Sequence, residues 1–287
     1  MSEAFPETIL NLIVLVRFQH IPPLLPLRPF VEKIWILESS GAVQNVDSKL
    51  IVPTGRVRLL LPFKNSVTNV NARLTYVSKE NSINLLGACD MPAFVDAANK
   101  GPSGTIGIEF SHLGVYRFLK LRQSELTNKA YRLSEIVGKI ARDLEEKICE
   151  VGSPDKKVLL VQHFLWKHFL KDPDEIFDYC VSKITSTHGR VTIRQLERET
   201  GYSARWLNIK FHERAGMSPK NLCSISRFQF IYGQLINNGK KPLVLEAFDG
   251  LYHDQSHFIK DFKRFTGLSP SQFREGAADF GKVFYRD

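Results

Sequence analysis

Apolar side chains in the first 110 residues come in short runs, several of them alternating with polar positions. Residues 31–37 (VEKIWIL), 49–53, 57–63, 74–77, 83–87 and 105–110 are such runs, separated by clusters of Gly, Pro, Asn and Ser. The pattern predicts strands, and their spacing predicts an antiparallel sandwich or barrel. From Ser111 the period lengthens: Val115, Phe118 and Leu119 share a helical face, as do Ile136, Ile140 and Leu144, and then Leu160, Phe164 and Leu165. Asp172, Pro173 and Asp174 predict a turn, followed by a helix over 175–187 with Asp174 as its cap and Ile176, Tyr179, Cys180 and Ile184 on one side. The expected fold class is α+β. A β-rich regulatory domain with trailing helices covers 1–171, an all-α domain covers 175–276, and 277–287 form a tail.

The all-α part contains a repeat. Leu207, Phe211, Gly216, Ser218, Pro219 and Leu222 recur at an offset of 51 as Phe258, Phe262, Gly267, Ser269, Pro270 and Phe273. Each copy reads as an apolar i, i+4 pair on a helix, a Gly that ends the helix in a left-handed conformation, and Ser-Pro, which caps and begins the next helix. Another short helical stretch precedes each copy, at 192–200 and at 242–249, and Gly201-Tyr202-Ser203 makes the first turn with Ser203 as N-cap. The repeat thus predicts two helix-turn-helix units. A helix over 220–238 joins them and spans nearly 30 Å at about 1.5 Å per residue.

Charge sharpens this picture. The chain of 287 residues carries a net +9, and residues 181–287 hold 17 Lys and Arg against 10 Asp and Glu, leaving the remainder nearly neutral. A basic helical third points to an anionic partner. A helix-turn-helix unit places its second helix in a DNA major groove, so the faces opposite the core are the candidate readers. With Leu207 and Phe211 inward, Arg205, Asn208, Ile209 and His212 face outward. With Phe258 and Phe262 inward, Gln255, Ser256, Ile259, Lys260 and Lys263 do. Arg suits guanine, Asn and Gln suit adenine, and lysines suit phosphate or guanine. Two such helices on a rigid bridge enter successive grooves and require some bending of the duplex.

Residues 192–274 resemble the DNA-binding domain of the AraC/XylS family of bacterial transcription regulators. The stretch from Tyr252 through His253-Asp254-Gln255-Ser256-His257-Phe258 to Gly267-Leu268-Ser269-Pro270 and Arg274 carries most of that resemblance. It implies promoter binding by two helix-turn-helix units, with Arg205 and Asn208 in the first reader and Gln255, Ser256, His257 and Lys260 in the second at positions that match the family's contacts; Ser203, Ile209, Lys210 and Lys263 complete the set of candidate DNA-binding residues. Three departures stand out. Glu197 and Glu246 replace small residues, which predicts looser helix packing; Leu251 replaces a Gly; and Ile209 sits where a base-contacting Arg is common. The N-terminal part more weakly resembles sensor regions attached to some family members, at 21–35, 53–55 and 107–128, with Thr54 and Arg58 where acidic residues are more usual. Residues 1–16 have no counterpart there.

Other chemistry fits poorly. Cys89, Cys149, Cys180 and Cys223 lie 60, 31 and 43 residues apart, too far for a metal-ligand or alkyl-accepting cluster. His20 is the only histidine in 1–110, His253 and His257 sit on the second reader, and His163 and His168 flank Trp166 on a helix. No nucleophile motif or phosphate-cradling loop occurs. The expectation is therefore a regulator and not an enzyme, without metal or cofactor. The apolar run 9–16 is broken by Asn11 and is too short to span a membrane, and Glu3 and Glu7 precede it without a Lys or Arg, so the expected location is the cytoplasm. Trp35, Phe63, Phe94 and Phe110 either line a ligand pocket or fill a core. Expected partners are double-stranded promoter DNA, a small-molecule effector of unknown identity, RNA polymerase and a second copy, the helical stripe at 133–170 either pairing with that copy or covering the sheet. The alternative is control without a small-molecule ligand, through dimerisation or a protein partner.

Overall fold

A computed structural model describes residues 16–41, 50–97, 101–119, 121–170, 172–237 and 251–276. The expectations for 1–15, for the leading helix at 242–249 with Glu246, and for the tail fall outside the described residues.

The N-terminal region is built from two open antiparallel sheets. The first runs in the order β1 (Val16–Ile21), β2 (Val31–Ser39), β9 (Ser103–Phe110), β4 (Arg58–Lys64), β7 (Asn84–Leu86), β10 (Ala130–Arg132); the second runs β3 (Leu50–Ile51), β8 (Ala93–Ala97), β5 (Val67–Val70), β6 (Thr75–Ser78). Alternation along the first sheet sorts its side chains. Ile34 and Ile36 of β2, Leu59 and Leu61 of β4, and Ile106, Ile108 and Phe110 of β9 are buried in one continuous core. Their neighbours Trp35, Leu37, Arg58, Leu60, Thr105 and Glu109 face a cavity shared with the second sheet. Gly107, opposite Trp35 in the register, leaves the space that the indole ring fills: a Cβ there would lie 2.1 Å from it.

The helices that follow are α1 (Leu133–Val137), α2 (Lys139–Glu150), α3 (Pro154–Lys167) and α4 (Glu175–Ser186). Ala141, Leu144, Ile148, Val158, Val161 and Leu165 join the core of the first sheet. Two details depart from the periodic reading. Gly138, at φ +66°, breaks the stretch between α1 and α2, so Ile140 leaves the face of Ile136 and Leu144 and is 42% exposed. On α4 the buried set is Phe177, Cys180, Val181 and Ile184, while Tyr179 turns outward to donate to Glu199 at 2.8 Å. The residues around 115 form a short 3-10 turn, Val115–Arg117, instead of an α-helix, yet remain buried.

The rest of the described chain forms α5 (Ile193–Thr200), α6 (Ala204–Ala215), α7 (Pro219–Asn237), α8 (Gln255–Thr266) and α9 (Pro270–Gly276). Aromatic contacts tie it together. Phe177 meets Tyr116 at 5.5 Å and Phe211 at 5.0 Å, and Phe228 of α7 meets Phe262 and Phe265 of α8 at 5.8 and 4.9 Å. Each such ring buries the large apolar area that dominates core energetics. The two regions also touch directly: Thr127 donates to the Gly216 carbonyl at 2.7 Å, and Gln229 of α7 donates to the Pro53 carbonyl at 2.7 Å.

Candidate nucleic-acid interface

The first unit is held in shape by local capping. The Thr192 hydroxyl accepts the Gln195 N–H at 3.1 Å while the Gln195 side chain accepts the Thr192 N–H at 2.8 Å, a reciprocal box that starts α5. Gly201, at φ +77°, ends α5, and the Ser203 hydroxyl accepts the Trp206 N–H at 3.3 Å to start α6. Glu197 does not loosen this turn. Its carboxylate accepts the Ala204 N–H at 2.6 Å, so the larger residue stitches α5 to the N-terminus of α6.

The repeat recurs in space as in sequence. Gly216 and Gly267 adopt φ of +76° and +78°. Ser218 and Ser269 then accept the Asn221 and Gln272 N–H groups at 3.1 and 3.3 Å. In the second copy Asp254 caps α8 by accepting the His257 N–H at 2.7 Å, a role that its place before Gln-Ser-His makes legible only afterwards. Leu207, Phe211, Phe258 and Phe262 are all buried.

With those positions inward, Arg205, Asn208 and Ile209 stand exposed on α6, and Gln255, Ser256, Lys260 and Lys263 on α8. Ile209 is 59% exposed, a large apolar surface with no packing reason to face water. The offset of 51 sets it against Lys260, and Asn208 against Ile259, so the two faces present different chemistry in one geometry. Ser203 is exposed, but its hydroxyl is engaged in the cap. Lys210 is turned away from Asn208: its ammonium pairs with Asp174 at 3.0 Å and lies 5.2 Å from the Trp206 ring centre. His257 is half-buried, its ring edge-on to Tyr252 at 5.0 Å and its Nε2 3.9 Å from the Asp261 carboxylate. Arg264, which the outward-face reading did not single out, borders the same shallow hollow on α8 as Ser256, Ile259, Lys260 and Lys263. Its i+4 spacing from Lys260 was the available signal.

A second feature lies in the β region. A cavity of about 270 Å³ opens between the two sheets, with walls mainly of apolar side chains such as Trp35, Leu60, Val67 and Val95. Of the four aromatics expected to line a pocket or fill a core, Trp35 lines it. Phe110 is in the core, Phe63 packs over Gly104, and Phe94 is 44% exposed. Charged groups gather at one side: Glu109 receives Arg58 at 2.6 Å and Arg56 at 3.1 Å, and Arg56 also reaches Glu32 at 3.2 Å. Burial pushes the Glu109 carboxyl up, but the two guanidinium groups outweigh it and hold the acid at about 2. Arg58 further donates to Thr54 at 3.1 Å. These partners come from strands far apart in sequence, so spacing alone gave no sign of the cluster.

Among the described residues no group of three or more His, Cys, Asp or Glu side chains converges as a metal site, and no helix is long and apolar enough to cross a membrane.

Comparison with known proteins agrees with the local geometry. Residues 196–276 match the family described as a helix-turn-helix domain, and residues 19–132 match a domain of unknown function, DUF6597. Similar solved structures include ToxT from Vibrio cholerae O395, 13% identical over 91% of this chain and 97% of that one with a TM-score of 0.45. Unsaturated-fatty-acid-bound wild-type ToxT from Vibrio cholerae strain SCE256 is 14% identical over 92% and 95%, with a TM-score of 0.40. The cupin domain of Cnp3 from Schizosaccharomyces pombe covers 33% of this chain and 64% of that one at 6% identity and a TM-score of 0.27. No curated protein sequence matches. Residues 196–276 thus form a helix-turn-helix domain of AraC type, preceded by a β-rich N-terminal region.

Proposed function

We propose that this AraC-type protein binds promoter DNA sequence-specifically and regulates transcription in response to a small molecule held in the β region. The observation that carries the reading is the pair of capped, glycine-terminated helices α6 and α8, exposed at Arg205, Asn208, Gln255, Lys260 and Lys263 and buried on their opposite faces. Arg205 and Asn208 read bases from the first unit, and Gln255 reads adenine from the second. Lys260 and Lys263, with Ser256 and His257, fix the register on phosphate. Ile209 meets a thymine methyl. Ser203 acts through its cap and Lys210 through its pair with Asp174, each orienting α6. Helix α7 touches both readers and, at 19 residues and about 1.5 Å each, is long enough to set them about one duplex turn apart.

The chain divides functionally near Asp172–Asp174 into a sensor (1–171) and a reader (175–276). The mostly apolar cavity with its Arg56–Glu109–Arg58 cluster supports the effector reading over control by a protein partner alone, since a concave apolar site with a few convergent polar groups is the usual form of a ligand pocket. The protein acts in the cytoplasm, alone or as a homodimer, and engages RNA polymerase at the promoter. Selection of bound sites from a random duplex pool with the full chain tests the core of this reading. Enrichment of one bipartite motif is expected, and recovery of unenriched sequence in proportion to the input would refute it.

A further inference from the structure

The segment 88–93 between β7 and β8 touches both halves of the protein. Cys89, Met91 and Ala93 line the cavity. The residues between them face the helices: the Asp90 carboxylate accepts from Asn221 Nδ2 of α7 at 3.2 Å and from Arg264 Nη2 of α8 at 2.9 Å, and Pro92 Cγ lies 4.0 Å from where a Cβ on Gly267, at the end of α8, would stand. Arg264 is also held by the Asn221 carbonyl oxygen at 2.7 Å. Ser256, Lys260 and Arg264 follow one another at i, i+4 and i+8 along α8, so the guanidinium that Asp90 holds belongs to the charged face of the second reader.

A phosphate oxygen and a carboxylate compete for the same guanidinium donors, and only one can take them. Asp90 is suited to hold and to release. Burial alone would raise its carboxyl, but the hydrogen bonds from Asn221 and Arg264, with the charges of Arg264 and Arg73, keep it below the ordinary carboxylate range, so it is ionised at neutral pH. Its second oxygen, Oδ1, is buried without a hydrogen-bond partner, so the carboxylate is only half satisfied where it sits. At the other end of the interface Gln229 both lines the cavity and donates to Pro53.

We propose that segment 88–93 is a latch: Asp90 withholds Arg264 from the DNA backbone, and a ligand pressing on Cys89 and Met91 from the cavity side withdraws Asp90 and frees that cation. The proposal rests on the DNA-binding and effector reading above and adds the element that couples cavity to reader.

The test compares full-length wild type, Asp90→Ala, Arg264→Ala, the double variant and Cys89→Phe on one labelled duplex by fluorescence anisotropy across a salt series. Asp90→Ala should bind roughly two- to five-fold more tightly, the range that loss of a partly exposed ion pair spans. Its log–log salt dependence should steepen by about 0.9, one phosphate contact. Arg264→Ala should cancel the gain, so that the double variant equals Arg264→Ala, and Cys89→Phe, which adds bulk on the cavity side, should tighten binding as Asp90→Ala does. Should Asp90→Ala lose the wild-type melting transition, Asp90→Asn removes the charge at constant shape and carries the same expectation. Wild-type affinity and slope in the Asp90 variant, a gain that persists in the double variant, or an inert Cys89→Phe each overturn the latch while leaving the DNA-binding reading intact. Absence of binding by every protein, wild type included, overturns that reading and the latch with it.

Discussion

Asp174 joins the two halves of the first reader's support, and its removal has a calculable cost. Oδ1 accepts the Phe177 N–H at 3.2 Å and caps α4, while Oδ2 pairs with Lys210 at 3.0 Å and Arg214 at 3.2 Å on α6. Loss of an N-cap costs about 1 kcal/mol. The Asp174 side chain is only 10% exposed and its two partners about a fifth, so each pair belongs at the upper end of the surface range, roughly 0.5 to 1 kcal/mol. Arg214 keeps a second partner in Asp172 at 3.1 Å, which reduces its share. Asp174→Ala should therefore destabilise the protein by about 2 to 2.5 kcal/mol. Asp174→Asn keeps the cap, since Asn caps as well as Asp, and should cost about 1 to 1.5 kcal/mol. At roughly 2 to 4 °C per kcal/mol for a chain of this size, thermal unfolding followed by circular dichroism should separate wild type, Asn and Ala variants in that order. Equal losses in the two variants would show that the cap contributes nothing, and unchanged melting in both would refute the assignment of α4–α6 cohesion to this carboxylate.

Further outcomes follow from the same geometry. Arg205→Ala and Gln255→Ala should each cost about 1 to 3 kcal/mol on a selected duplex and much less on a random one in parallel titrations; equal losses on both would remove them from base reading. Lys263→Ala should weaken all duplexes alike and lower the salt slope by about 0.9, an unchanged slope excluding a phosphate contact. Gly216→Ala and Gly267→Ala share a left-handed backbone, but a Cβ on Gly216 meets the Thr127 hydroxyl at 2.5 Å, whereas one on Gly267 meets nothing nearer than Pro92 at 4.0 Å. Urea denaturation should show both losing about 1 to 2 kcal/mol from strain, with a clear extra loss at Gly216. Burial and the neighbouring Arg56 charge, partly offset by Glu109, hold His112 at about 3 against an ordinary 6.5. Between those values the unfolded chain binds the extra proton, so stability falls as pH drops below about 6.5, and His112→Gln should flatten that limb of the Tm–pH curve.

What the sequence made legible was what short-range chemistry decides. Gly201 and Ser203 in the first copy, and Gly216 and Ser218 with their counterparts Gly267 and Ser269, act on neighbours within four residues, so their spacing alone outlined the double unit. Strands with clear apolar runs were equally visible, but β5 (VTNV) and β8 (AFVDA) were not, because strands this short with polar members carry little periodic signal. Gly138 hid a helix break that only its positive φ makes plain. The cavity, its Arg56–Glu109–Arg58 cluster and the Asp90 contact depend on pairings more than 50 residues apart, and Asp90 reaches Arg264 across 174 positions. Such contacts follow from strand order and helix docking, which local pattern does not encode. The same holds for Lys210, adjacent to exposed Ile209 yet drawn inward by Asp174.

Hydroxyl-radical footprinting of the full-length protein on its selected duplex tests the central claim, that α6 and α8 read one DNA together. Two protected segments on one face, centred about 10 base pairs apart, are the predicted result. A single protected segment, or protection without phase, would contradict it.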